Sequence, residues 1–97
     1  MNPVPVVFSA VMLATSAFAV RADGGPDLAE ARGCTVCHDV DQATVGPAFK
    51  AIAKKYADDA DARGRIAAKL RSGSGHVKPS GSDQDVDDLV AYVLSLH

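Results

Sequence analysis

The segment that most constrains this 97-residue chain is Gly33-Cys34-Thr35-Val36-Cys37-His38, which contains the pattern C-x-x-C-H. Two thiols one helical turn apart can add to the two vinyl groups of a haem as thioethers, and this pattern is that of covalent c-type haem attachment. The histidine after the second cysteine then lies against the iron as an axial ligand. The motif therefore predicts a haem c attached to Cys34 and Cys37, with its iron bound by His38.

Two other kinds of site use a C-x-x-C pair. A zinc site needs about four protein ligands, and the chain has no other cysteine. A thioredoxin-like redox pair is expected next to a βαβ pattern, which this sequence lacks. A disulfide is compatible with an exported chain, but so short a loop contributes little entropic stabilisation. Haem attachment remains the favoured interpretation.

The N-terminal part of the chain has the composition of an export signal. Residues 3–20 are almost entirely apolar and include Ala17-Phe18-Ala19, an A-x-A cleavage pattern. This run is short for a membrane span, and no Lys or Arg precedes Arg21. We expect a cleaved signal peptide, so the protein would lie in the bacterial periplasm. An uncleaved leader would instead anchor it to the membrane.

This pattern divides the chain into a signal peptide at 1–19, a linker at 20–26 and one domain at 27–97. Cleavage after residue 22 is a second possibility. So small a domain has a marginal hydrophobic core. A covalently held haem would supply a large apolar body for short helices to pack around.

The charge of the chain is nearly balanced. The formal net charge is −2 at pH 7 and the sequence pI is about 5.8. No basic face indicates binding to DNA or RNA, so we expect no nucleic-acid partner.

Hydrophobic periodicity predicts an all-α domain of about four short helices without strands. The predicted helices run from Pro26 to about Val36, from Ala48 to Ala57, from Ala62 to Ser72, and from Ser82 towards the C-terminus. Ser82-Asp83-Gln84-Asp85 approximates a capping box at the start of the last helix. Residues 72–81 are rich in glycine and serine and read as a loop.

With these features, the chain resembles a class I cytochrome c of the small bacterial type, the c551/c552 group, also called c8. The resemblance extends from about Leu28 to Leu96. It rests on the C-x-x-C-H motif, on Val45-Gly46-Pro47-Ala48-Phe49-Lys50 at the family's spacing from it, and on the terminal helix. It implies the small class I fold around one covalently attached haem, and an electron carrier rather than an enzyme.

The resemblance also assigns roles around the haem. The Pro47 carbonyl would accept a hydrogen bond from the His38 nitrogen that faces away from the iron. Lys69 falls where the family places a basic residue near a haem propionate, although a solvated helix face explains it equally well. The remaining residues assigned to the haem pocket are its walls, namely Phe49, Tyr56, Ile66 and Leu70.

The family's sixth iron ligand is a methionine in the loop before the last helix, and this chain lacks it. Its only methionines, Met1 and Met12, lie in the leader. Lys78 aligns with the family's methionine, but its amine must lose a proton against an ordinary pKa of about 10.4. His76 offers an imidazole that is mostly neutral at pH 7. The candidates are therefore His76, Lys78 as the alternative, or no protein ligand at all.

The resemblance implies a monomeric carrier of single electrons between redox protein partners, cycling between Fe(III) and Fe(II). A nitrogen ligand stabilises Fe(III) more than a thioether does, so we expect a lower reduction potential than in methionine-ligated relatives. The alternative function is a haem protein whose open or exchangeable distal site binds NO, CO or a small anion. A weak peroxidase-like activity has no distal Arg–His pair to support it.

Overall fold

The computed structural model describes residues 2–7, 10 and 24–97. Only residues 2–7 and 10 of the predicted signal peptide are therefore described. Both predicted cleavage positions, after residue 19 and after residue 22, lie outside the described residues. In the described part of the chain, no helix has the length and apolar character needed to cross a membrane.

Four α-helices and one short 3-10 helix make up the domain at residues 24–97, where no strand occurs. This confirms the all-α fold class. In chain order the elements are α1 (Gly25–Ala31), the 3-10 helix (Cys34–Val36), α2 (Phe49–Lys55), α3 (Ala62–Ser72) and α4 (Asp83–Leu94).

The first helix is shorter than predicted, and it begins earlier. A single helix was expected to continue to about Val36, but α1 ends at Ala31 because Gly33 adopts a left-handed conformation with φ of 81°. Helix α1 starts at Gly25, so the predicted boundary between linker and domain after residue 26 falls inside it. Gly25 is buried, and a Cβ there would overlap the ring of Tyr92.

Helix α4 contacts each of the other three α-helices. Its apolar residues divide between two clusters, because a helix that is apolar on more than one face can pack on several neighbours. Val86 and Val90 pack with Ala67 of α3. The second cluster joins Leu89 and Tyr92 of α4 to α1 and α2 through Ala29 and Phe49. The centre of the domain is therefore α4.

The N-terminus of α4 contains the predicted capping box. The Asp85 N–H donates to Ser82 Oγ, and the Ser82 N–H donates to Asp85 Oδ2, both at 3.1 Å. Asp85 Oδ2 also lies 3.0 Å from an Arg32 guanidinium nitrogen. The start of α4 is thereby joined to the segment directly before the C-x-x-C-H motif.

We predict that Ser82→Ala lowers the free energy of unfolding by about 1 kcal/mol, because the Asp85 N–H loses its hydrogen-bond acceptor. Denaturant unfolding of the holoprotein measures this change. Ser80→Ala, in the exposed loop before the helix, serves as the matched control and should unfold like the wild type. Equal stabilities of all three proteins would contradict a stabilising role for the capping box.

Candidate functional site

An apolar cavity of about 460 Å³ lies between the C-x-x-C-H segment and helices α2, α3 and α4. A volume of this size is typical of small-molecule and cofactor sites. A second cavity of about 490 Å³ adjoins it, and the two share a set of lining residues: Cys34, His38, Pro47, His76 and Pro79. The shared residues place the cysteine motif and the loop before α4 around one site.

The structure brings the predicted pocket walls together. Phe49, Tyr56, Ile66 and Leu70 all line the first cavity, of about 460 Å³. Sequence reasoning did not assign further apolar lining residues to the site, namely Ile52, Leu89, Val90, Val93 and Leu94. Helical periodicity marked these side chains as inward-facing, but it cannot distinguish a side chain facing a cavity from one facing another helix.

His38 is held by contacts on several sides. Its Nδ1 lies 2.6 Å from the Pro47 carbonyl oxygen, the partner that the resemblance predicted. Its ring packs against Phe49, with ring centroids 5.3 Å apart and planes at 24°. Because a carbonyl oxygen can only accept, Nδ1 carries the proton and Nε2 keeps a free lone pair. His38 is thus oriented to bind a metal ion through Nε2.

Gly46 lies against the same imidazole ring. A Cβ at this position would overlap His38 Cε1 and would lie 2.8 Å from Nδ1. The Gly46 N–H donates to the Cys37 carbonyl at 2.7 Å, and the Thr44 hydroxyl donates to the same oxygen at 2.6 Å. These bonds return the chain to the C-x-x-C-H motif, and only glycine leaves room for the ring.

The two cysteines carry free thiols at the boundary of the cavities. Both are half-buried; Cys34 lines both cavities, and Cys37 lines only the second. Burial raises the pKa of the Cys34 thiol above its ordinary value, and a backbone hydrogen bond opposes this effect. A raised pKa disfavours the reactive thiolate on which a thioredoxin-like exchange site depends.

The loop at 73–81 brings His76 to the site. His76 lines both cavities, and its ring lies nearly parallel to that of His38, with centroids 6.1 Å apart and planes at 12°. Its Nδ1 is 2.6 Å from the Val77 carbonyl oxygen. Lys78 is exposed and lines only the second cavity. The structure therefore brings His76, but not Lys78, to the first cavity.

Lys55 and Lys69 are exposed lysines that also line the first cavity. The role near a haem propionate that the resemblance gives Lys69 stays a prediction. Lys55 was not assigned to the site, and its Nζ lies 5.3 Å from the centre of the Tyr56 ring. Both amines add positive charge at the edge of an otherwise apolar cavity.

The residues present fit the predicted haem. An apolar cavity suits a macrocycle, two free thiols suit thioether attachment, and an imidazole with an occupied Nδ1 suits axial ligation. In the described residues, no group of three or more His, Cys, Asp and Glu side chains could hold a metal ion by itself. Cys34, Cys37 and His38 are the residues that would hold a haem here.

We predict that Gly46→Ala lowers the free energy of unfolding of the holoprotein by about 1–3 kcal/mol, because the added methyl group overlaps the His38 ring. Gly64→Ala is the matched control, since a Cβ there meets nothing within 4 Å. That change, inside α3, should raise the free energy of unfolding by about 0.5–1 kcal/mol. Denaturant unfolding compares the two, and shifts of the same sign would contradict the close approach at Gly46.

Comparison with known proteins identifies a family. The sequence pattern of the family Cytochrome c matches residues 22–97. Cytochrome c-551 of Allochromatium vinosum is 37% identical, over 94% of this chain and 100% of that protein. Cytochrome c-552 of Nitrosomonas europaea is 38% identical, over 92% of this chain and 91% of its own length.

Solved structures agree with the sequence matches. The crystal structure of wild-type Nitrosomonas europaea cytochrome c552 superposes with a TM-score of 0.64 at 38% identity, covering 74% of this chain and 99% of that one. Class 1 cytochrome MtoD from Sideroxydans lithotrophicus ES-1 gives a TM-score of 0.67 at 30% identity, covering 80% of this chain and 98% of that one.

Proposed function

Because the chain belongs to the cytochrome c family, we propose that it carries single electrons in the periplasm at a lower potential than its methionine-ligated relatives. Family membership shows that the chain binds one haem c covalently and that it is an electron-transfer protein rather than an enzyme. We assign the attachment to Cys34 and Cys37 and the proximal ligand to Nε2 of His38. The finer properties follow from the residues around this site.

The observation that carries the proposal is the anchored imidazole of His38 in an apolar cavity. When bound, the haem supplies an Fe(III)/Fe(II) couple. The Pro47 carbonyl, 2.6 Å from Nδ1, fixes the ring and makes Nε2 a better donor to iron. The apolar walls would surround the haem and lower the local dielectric constant. No bond to a substrate is made in this function, so the chain needs no general acid or base.

The lower potential follows from the available axial ligands. Methionine ligation raises the potential of a c-type haem. Residues 13–97 contain no methionine, so no thioether donor is available in the proposed domain. Nitrogen or water on the distal side favours Fe(III) relative to a thioether, and the potential falls.

Export to the periplasm is supported by the leader. Its apolar run and its A-x-A pattern are typical of a signal peptide. The match to the Allochromatium vinosum cytochrome covers 94% of the chain, a share that extends into residues 1–19. The proposed carrier would therefore exchange electrons with exported or membrane-bound redox proteins.

Exchange with these partners is supported by an apolar edge of the site. Val36, Val45 and Val77 are 79%, 84% and 81% exposed, and all three line the second cavity beside the cysteine motif. Clusters of exposed apolar side chains mark sites of contact with other proteins. Small, transient interfaces are typical of electron-transfer complexes. We propose this edge as the place where electrons enter and leave a monomeric carrier.

We predict a reversible one-electron couple in the purified holoprotein, at a potential roughly 0.1–0.3 V below that of a methionine-ligated relative, within the ~0.8 V range of axial ligation. Voltammetry of both proteins under the same conditions measures the difference. Potentials that coincide would contradict the proposed lowering. A holoprotein without any reversible couple would contradict the proposed function itself.

A further inference from the structure

We propose that His76 supplies the sixth iron ligand through Nε2, so that the haem lies between two histidines. This inference rests on the proposed function, since it assumes a haem attached beside His38. It goes further by naming the distal donor, for which the family's usual methionine is missing. Four features of the site support it: ring spacing, ring tautomer, loop geometry and the position of Lys78.

The spacing of the two rings is that of ligands on opposite sides of one metal ion. A metal–imidazole bond is about 2 Å long and a ring centre lies about 1.1 Å beyond its nitrogen, so two such rings have centres roughly 6 Å apart. The centroids of His38 and His76 are 6.1 Å apart. The spacing therefore agrees with ligation of one iron from both sides.

Both imidazoles have the same nitrogen available. His76 Nδ1 lies 2.6 Å from the Val77 carbonyl oxygen, as His38 Nδ1 does from that of Pro47. A carbonyl oxygen accepts only, so each Nδ1 carries the proton and each Nε2 keeps its lone pair. A hydrogen bond on the far nitrogen is the usual companion of a metal-ligating histidine. The two side chains are therefore prepared for ligation in the same way.

The loop that carries His76 is fixed at both ends. At its start, Gly73 has φ of 67° and its N–H donates to the Lys69 carbonyl at 3.1 Å, which ends α3. At its end, Gly81 has φ of 110°, and a Cβ there would lie 2.5 Å from Asp85 Oδ2 and 2.8 Å from Arg32 Nε. The ion pair between those two side chains thus closes the loop beside the cysteine motif. With both ends held, the loop folds back so that His76 lies at the cavity.

Lys78 does not occupy the equivalent position. Both side chains are exposed, but Lys78 lines only the second cavity, whereas His76 lines both. A Cβ placed on Gly73 would lie 3.5 Å from Lys78 Cβ and 3.7 Å from the His76 carbonyl oxygen, so the loop folds back against the end of α3. The geometry selects the histidine of the two candidate donors.

A second imidazole has a direct consequence for function. It fills the distal position with a strong-field donor, so the iron keeps the same six-coordinate, low-spin state when oxidised and reduced. External ligands then have no vacant position. This favours electron transfer over binding of NO, CO or a small anion.

The test compares optical spectra of holoproteins carrying His76→Ala, Lys78→Ala or His97→Ala with that of the wild type. We expect low-spin spectra that CO does not change in the wild type, Lys78→Ala and His97→Ala. His76→Ala should lose the low-spin ferrous spectrum and bind CO, and added imidazole should restore it. His97 is a matched histidine control, because it is exposed at the C-terminus and its Nδ1 contacts the Leu94 carbonyl.

A second variant keeps the inference testable if His76→Ala loses its haem. In His76→Met we expect a sulfur-to-iron charge-transfer band in the ferric protein, together with a raised potential. A wild-type spectrum in His76→Ala, or loss of the low-spin spectrum in Lys78→Ala alone, would overturn the assignment. CO binding by the wild type would also overturn it. A wild-type protein without covalent haem by mass would instead overturn the proposed function.

Discussion

The hydrogen bond between His38 Nδ1 and the Pro47 carbonyl is the contact on which the rest of the site depends. It connects the cysteine motif to the start of α2, and two backbone bonds continue this connection. The N–H groups of Phe49 and Lys50 donate to the carbonyls of residues 39 and 40, at 2.9 and 3.1 Å. The first turn of α2 thereby finds acceptors in the segment after the motif. These bonds hold α2, which forms one side of the cavity, against the segment that carries His38.

The composition of the core explains why such a domain needs its cofactor. Half of its buried apolar residues are alanines, and Val90 is the largest side chain that is fully buried. Short helices with small side chains leave the central space open, where an apolar cavity of about 460 Å³ remains. Apolar surface of this kind gains stability only when it is covered. The haem would complete the core as well as carry the electron.

Local patterns in the sequence were sufficient to predict much of the fold. Helix α3 has the predicted bounds, and the Ser82 capping box is present, because both depend on neighbouring residues. The first helix was predicted to run past Gly33 to about Val36, because hydrophobic periodicity does not show that a glycine takes a positive φ. The C-x-x-C-H chemistry was likewise readable, whereas the distal side depends on how glycines at 73, 75 and 81 fold a loop back. Composition alone could not decide between His76 and Lys78 as the distal iron ligand.

In the proposed site, two histidines of this chain face one iron. Electron–nuclear double resonance on the ferric holoprotein, with only histidine labelled by ¹⁵N, counts the axial imidazoles directly. We expect couplings from two strongly interacting histidine nitrogens, with no strong coupling from the third histidine of the chain. A coupling from a single histidine nitrogen would contradict it.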